Sequence, residues 1–119
     1  MRRHGLHITP EMIEAAYVFL LTTMPFRRWN LPAADLVVFS VSRHKDKRGD
    51  WCMQDRAHVI RISAATITRL PSLIETVAHE MCHMRDKIEG GRNDIAHGRN
   101  FRRLAKQVCR YHGFEESLF

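Results

Sequence analysis

Two histidines four residues apart, with a glutamate directly after the first, constrain this chain more than any other stretch: His79-Glu80-Met81-Cys82-His83. The spacing makes chemical sense on a helix. There the histidines lie one turn apart, about 6 Å along the axis, and both imidazoles can reach one ion at about 2.0–2.1 Å. Glu80 is rotated about 100° from His79, so it flanks the ion instead of binding it. From there it can take a proton from a water whose pKa zinc lowers to about 7. This is the chemistry of metal-assisted amide hydrolysis, and it accounts for the order His-Glu-x-x-His.

The surrounding residues predict the helix that this chemistry needs. Ser72-Leu73-Ile74-Glu75 has a capping-box pattern, and Gly90-Gly91 is a stop. Between them, Ile74, Val77, Ala78 and Met81 share one side. His79 and His83 fall on the opposite side with Thr76 close by, so the apolar side can anchor the helix while the histidines face a cleft. Cys82 reads as a packed, inert thiol.

A catalytic zinc usually has three protein ligands and one open position. No Gly-x-x-His continues the motif, which excludes the compact H-E-x-x-H-x-x-G-x-x-H arrangement. The third ligand then comes from Glu89, Asp94, His97 or His112. His97 is favoured, because it follows the glycine break and precedes a further helix that can fold back over the cleft. Asp94 is its main competitor, and His112 is better explained by packing.

The rest of the chain predicts an α+β fold. Thr9-Pro10-Glu11 starts a first helix over residues 10–24. "ADLVVFSVS", "WCMQD" and "HVIRIS" read as three short strands, arranged most economically as an antiparallel meander over residues 35–63. "RHKDKRGD" between the first two reads as a solvated polar turn. A last helix runs from Gly98 to Gly113, with Phe101, Leu104, Ala105, Val108 and Tyr111 on one face. Arg99, Arg102, Arg103, Lys106 and Arg110 line the other. Five like charges on one face, in a chain of net charge +6, predict a weak, sequence-independent contact with the DNA backbone. No oxyanion-stabilising group stands out, and Tyr111 and Arg92 are only candidates.

Three scattered cysteines form no C-x-x-C pair, which argues against a zinc ribbon and against a disulfide framework. The apolar run Ala15–Leu21 is short and is preceded by Glu11 and Glu14, unlike a signal peptide. No run reaches membrane-spanning length. The expectation is one domain over residues 1–119, cytoplasmic, with no membrane partner.

"AHEMCH" followed by "AHGRNFRRLAKQV" resembles the SprT-like (Spartan-like) zinc metallopeptidase domain. In that family an H-E-x-x-H helix is followed by a histidine in an H-G-x-x-F context, here His97-Gly98-Arg99-Asn100-Phe101. "HVIRIS" also looks like the family's strand before the active-site helix. The resemblance implies one zinc held by His79, His83 and His97, with Glu80 as general base or acid. It implies a zincin-like fold with an N-terminal helix, a small antiparallel sheet, the H-E-x-x-H helix and a C-terminal helix. It also implies a protein or peptide substrate and a link to DNA, since eukaryotic members cleave proteins crosslinked to DNA. Many members carry a Cys-rich ribbon after this domain, which these residues lack. Two other readings use the same residues: a non-catalytic, zinc-stabilised DNA-binding module, and a metal-dependent hydrolase of a non-peptide bond. An extended substrate would pair with a sheet edge beside the cleft, with "HVIRIS" a candidate edge.

Overall fold

A computed structural model describes residues 5–90 and 97–119. The first helix, α1, is Pro10–Leu21. Thr9 caps it, its Oγ1 accepting from the Met12 amide at 3.2 Å. It stops three residues before the expected Met24. Thr22 and Thr23 turn their hydroxyls back onto the carbonyls of Phe19 and Leu20 at 2.6 and 2.7 Å. The last turn is thus satisfied by side chains instead of continuing.

Three strands follow: β1 Val37–Ser42, β2 Gly49–Gln54 and β3 Ala57–Ser63. The expected antiparallel meander is not what they form. The spatial order is β1-β3-β2, with β3 parallel to β1 and antiparallel to β2. Residues 43–48 pass over the end of β3 instead of turning tightly. The Ser63 amide donates to Arg48 O at 2.8 Å and the Ala64 amide to Ser42 O at 2.9 Å. The end of β3 is thereby stitched between the two flanks of that crossing. Two strand spacings, about 10 Å, are well within reach of six residues. The tight turn comes one connection later. Asp55 and Arg56 both have positive φ, 51° and 67°, as a two-residue hairpin loop between β2 and β3 requires. A central β3 corrects the reading of "HVIRIS" as a sheet edge: both its sides are paired, and the edges are β1 and β2.

Alternation along the strands decides what each face meets. Phe39, Trp51, Ile60 and Ile62 belong to or pack against the core, while Asp50 and Arg61 pair on the other face at 2.9 Å. α1 packs on β1, and the second helix, α2 (Leu70–Ile88), packs on β2 and β3. α2 begins two residues before the expected Ser72 cap. Arg69 is the extended N-cap residue and Pro71 occupies the first turn, where its missing N–H costs nothing. Glu89 closes the helix and Gly90 follows at φ 88°. The third helix, α3, is Arg99–His112, ending at Gly113 in the left-handed region. Tyr17, Leu20, Ile60, Val77, Met81, Leu104 and Val108 meet in the centre. Among the described residues, no helix is long and apolar enough to cross a membrane.

β2 enters the fold through a close approach at Gly49. A Cβ there would lie 2.8 Å from Arg61 O and 3.1 Å from Thr76 Cγ2. Neither the strand backbone nor the helix can give way cheaply. Gly49→Ala is therefore expected to cost about 1–3 kcal/mol of stability. Denaturant titration of both proteins would read this as a lower midpoint at unchanged slope.

Candidate metal centre

α2 is buried on more sides than the sequence suggests. Leu73, Val77, Ala78, Met81, Cys82 and Met84 are all within 1% of complete burial, and Ile74 is half-buried. The histidine side is covered too, because α3 folds back across it. Phe101, from the first turn of α3, lies against all three rings. Its centroid is 4.3 Å from that of His83, 4.6 Å from His97 and 5.1 Å from His79. Phe119 closes the site from the other side, 5.2 Å from His79.

His79 and His83 project one turn apart, with ring centroids 5.1 Å apart. His97 comes from the residues just before α3, at 5.1 Å from His79 and 5.0 Å from His83. Nε2 of His97 lies 3.2 Å from Nε2 of His83. Two nitrogens bound to one tetrahedral ion would stand roughly 3.3 Å apart. One ligand atom from each of the three rings fits within 4.8 Å of the others. Among the described residues, this is the one group of three His, Cys, Asp or Glu side chains so placed.

The electrostatics suit a cation. Burial, reinforced by the charges of His83, His97 and Arg48, holds His79 down to about 3. Burial and His97 hold His83 down to about 4, with Asp86 opposing. Both rings are therefore neutral at physiological pH, with lone pairs available. Nδ1 of His79 is buried and has no hydrogen-bond partner among the described residues, and the backbone of Phe119 weakly opposes the downward shift of the ring. Glu80 is 4% exposed. Burial and then Asp50 push its carboxyl up to about 8, against the pull of Arg48 and Lys47. A bound cation would act on Glu80 in the opposite sense. The donor set, three converging imidazoles of which burial keeps His79 and His83 neutral, fits zinc.

The other sequence candidates fall elsewhere. Glu89 is not among the converging side chains and sits in a cluster of donors. It accepts from Arg85 at 3.0 Å, Asn100 at 2.9 Å and Arg103 at 2.9 Å. Burial alone would raise this carboxyl, but those hydrogen bonds and the two arginine charges hold it below the usual carboxylate range. His112 packs, as expected: it hydrogen-bonds Thr23 at 3.0 Å and stacks on Phe114 at 5.4 Å. Asp94 and Arg92 lie outside the described residues. Tyr111 is 58% exposed on α3. Cys82 is fully buried, and burial pushes its thiol well up, leaving it inert. Arg99, Arg102, Arg103, Lys106 and Arg110 are all exposed, but Arg103 is engaged with Glu89 and Asn100.

Sequence reasoning missed two contributors and gave a third residue, Thr76, no role beyond its nearness to the histidines. The "RHKDKRGD" turn reads as solvated, yet Lys47, Arg48 and Asp50 act on Glu80, and Arg48 also acts on His79. Thr76, one turn before Glu80, is buried, and its hydroxyl has no partner among the described residues. Asn100 ties α3 to α2. No local pattern marks the turn, because the crossing over β3 creates its proximity to Glu80, whereas helical spacing alone puts Thr76 near the histidines. Asn100 stands in plain sight inside His97-Gly98-Arg99-Asn100-Phe101, but its partners are remote in sequence.

Compared with known families, the chain matches the model of the SprT-like family over residues 20–118. No curated protein matches it.

Proposed function

Because the chain belongs to the SprT-like family, which supports a metallopeptidase-like domain, we propose that it is a zinc-dependent peptidase with Glu80 as its general base and acid. The observation that carries this reading is the convergence of His79, His83 and His97, with Glu80, the residue after His79 on the same helix, buried. When bound, zinc would supply Lewis acidity, activating water and polarising a carbonyl. The chain's own residues do the rest. The three histidines each present a ring nitrogen to one point. Glu80 follows His79 directly, on the flank of that point, where it can receive the proton of the attacking water. It can then return that proton to the leaving amine. Burial raises this carboxyl and a bound cation would lower it, opposing influences on a group that must both take and give a proton. The free edge of β2, which packs on α2, is the natural place for an extended peptide to pair.

A purely structural metal needs no buried carboxyl beside its ligands, which favours hydrolysis over a non-catalytic module. The direct test is incubation of the zinc-loaded protein with an unfolded protein, with and without DNA, followed by mass spectrometry of new termini. Cleavage that a chelator abolishes and zinc restores is the expected result. Absence of new termini under both conditions would refute the reading.

DNA is proposed as a partner through the exposed face of α3. Arg103 is best left intact, since it braces α3 on Glu89. Changing Arg102, Lys106 and Arg110 together to Gln is expected to weaken duplex binding for every sequence alike. Each lost phosphate contact should flatten the slope of log affinity against log salt by about 0.9. Equal slopes for both proteins, or no binding at low salt, would remove DNA from this face.

A further inference from the structure

His79 and His83 are positioned relative to each other by α2 alone, but His97 belongs to the start of α3. The geometry of the three nitrogens therefore depends on how the N-terminus of α3 is held against the C-terminal half of α2. One side chain makes that link twice. Nδ2 of Asn100, in the first turn of α3, donates to Asp86 Oδ1 at 2.8 Å and to Glu89 Oε1 at 2.9 Å. Both acceptors lie at the end of α2, three and six residues beyond His83. Carboxylates only accept, so the amide must turn its NH2 towards them. Its Oδ1 then faces Arg103, which donates to it at 2.8 and 3.2 Å. Arg103 also donates to Glu89 at 2.9 Å. Arg85 joins the same carboxylate and reaches on to Trp29 O at 2.7 Å. Every member is satisfied, and the network spans α2, α3 and the 3₁₀ turn that Trp29 follows. Phe101, the next residue after Asn100, is thereby pressed onto the three imidazole rings.

We infer that Asn100, anchored on Asp86 and Glu89, is the positioning residue that sets His97 against the His79–His83 pair and so tunes the affinity and geometry of the metal centre. This rests on the metal reading given above. Asn100 touches no ligand ring in this role; it acts through the angle between two helices. Partners that orient metal ligands typically contribute 10- to 100-fold in affinity.

Asn100→Asp keeps the size of the side chain, removes both donors and sets a third carboxylate against two. Glu89→Gln is the milder variant, keeping shape and one acceptor while losing the charge. Zinc affinity is measured by chelator competition on wild type and both variants, alongside the denaturation midpoint of each metal-free protein. The visible spectrum of the cobalt-substituted proteins reports the ligand geometry. The expected result is a fall in zinc affinity of about 10- to 100-fold for Asn100→Asp, a smaller fall for Glu89→Gln, and an altered cobalt spectrum in both. These changes should exceed any loss explained by the metal-free midpoint. If Asn100→Asp does not fold, Glu89→Gln decides alone. Wild-type affinity and spectrum in a folded variant would overturn the inference while leaving the metal site standing. Failure of the wild-type protein itself to bind zinc would instead overturn the metal reading, and the inference with it.

Discussion

Glu80→Gln should retain zinc and fold but lose peptide hydrolysis by about 10²- to 10⁴-fold, the usual contribution of a positioned general base. The amide has nearly the volume of the carboxyl, so a site only 4% exposed need not repack. It cannot take up a proton, and Glu80 is not among the three converging ligands, so metal content should stay at one per chain. Stability gives an independent readout. The folded pKa of Glu80, about 8, lies above its ordinary value of 4.5. Between those values the metal-free folded state keeps a proton that the unfolded chain releases. Stability from this group is therefore present below pH 4.5 and is lost as pH rises towards 8. Gln carries no such dependence. The difference in stability between metal-free variant and wild type should shift in favour of the variant from pH 5 to 8. Full hydrolytic activity in the variant would remove Glu80 from the chemistry. A stability difference that does not change with pH would mean that the carboxyl is already ionised in the fold.

The second large effect is loss of zinc from His97→Ala. α2 supplies two nitrogens by helical spacing, and two imidazoles alone make a weak site. His97 supplies the third, and it is the exposed member of the trio, so its removal opens no core cavity. Zinc content after dialysis should collapse, while the fold of the metal-free protein survives. His112→Ala is the control: it loses the hydrogen bond to Thr23 and some packing, yet should keep its zinc. Elemental analysis of both variants checks this. A fully loaded His97→Ala protein would transfer the third position to another residue, with Asp94 first to be tried.

Local patterns carried much of this molecule. The spacing of His79, Glu80 and His83 requires a helix, and helix geometry alone puts the two imidazoles one turn apart. Thr9 and Pro10 start α1 because a cap and a preset φ act within four residues. Gly90 and Gly113 end their helices because a left-handed residue is needed there. His97-Gly98-Arg99-Asn100-Phe101 identified the family because its residue types and its distance from the first motif are both one-dimensional facts.

The tertiary structure decided everything that depends on which segment lies beside which. A strand's sequence shows its faces but not its neighbours. A tight turn and a six-residue crossing over β3 are equally compatible with "RHKDKRGD". Hence β3 became the central strand, and a turn that reads as solvated put Lys47 and Arg48 where their charges bear on Glu80. Glu89 has the chemistry of a ligand in one dimension and became an anchor in three, because Arg85, Asn100 and Arg103 reached it first. The residue types were written in the chain; desolvation and the packing of α3 across α2 determined that three histidines converge, that Glu80 is buried and that Glu89 binds Asn100 and Arg103.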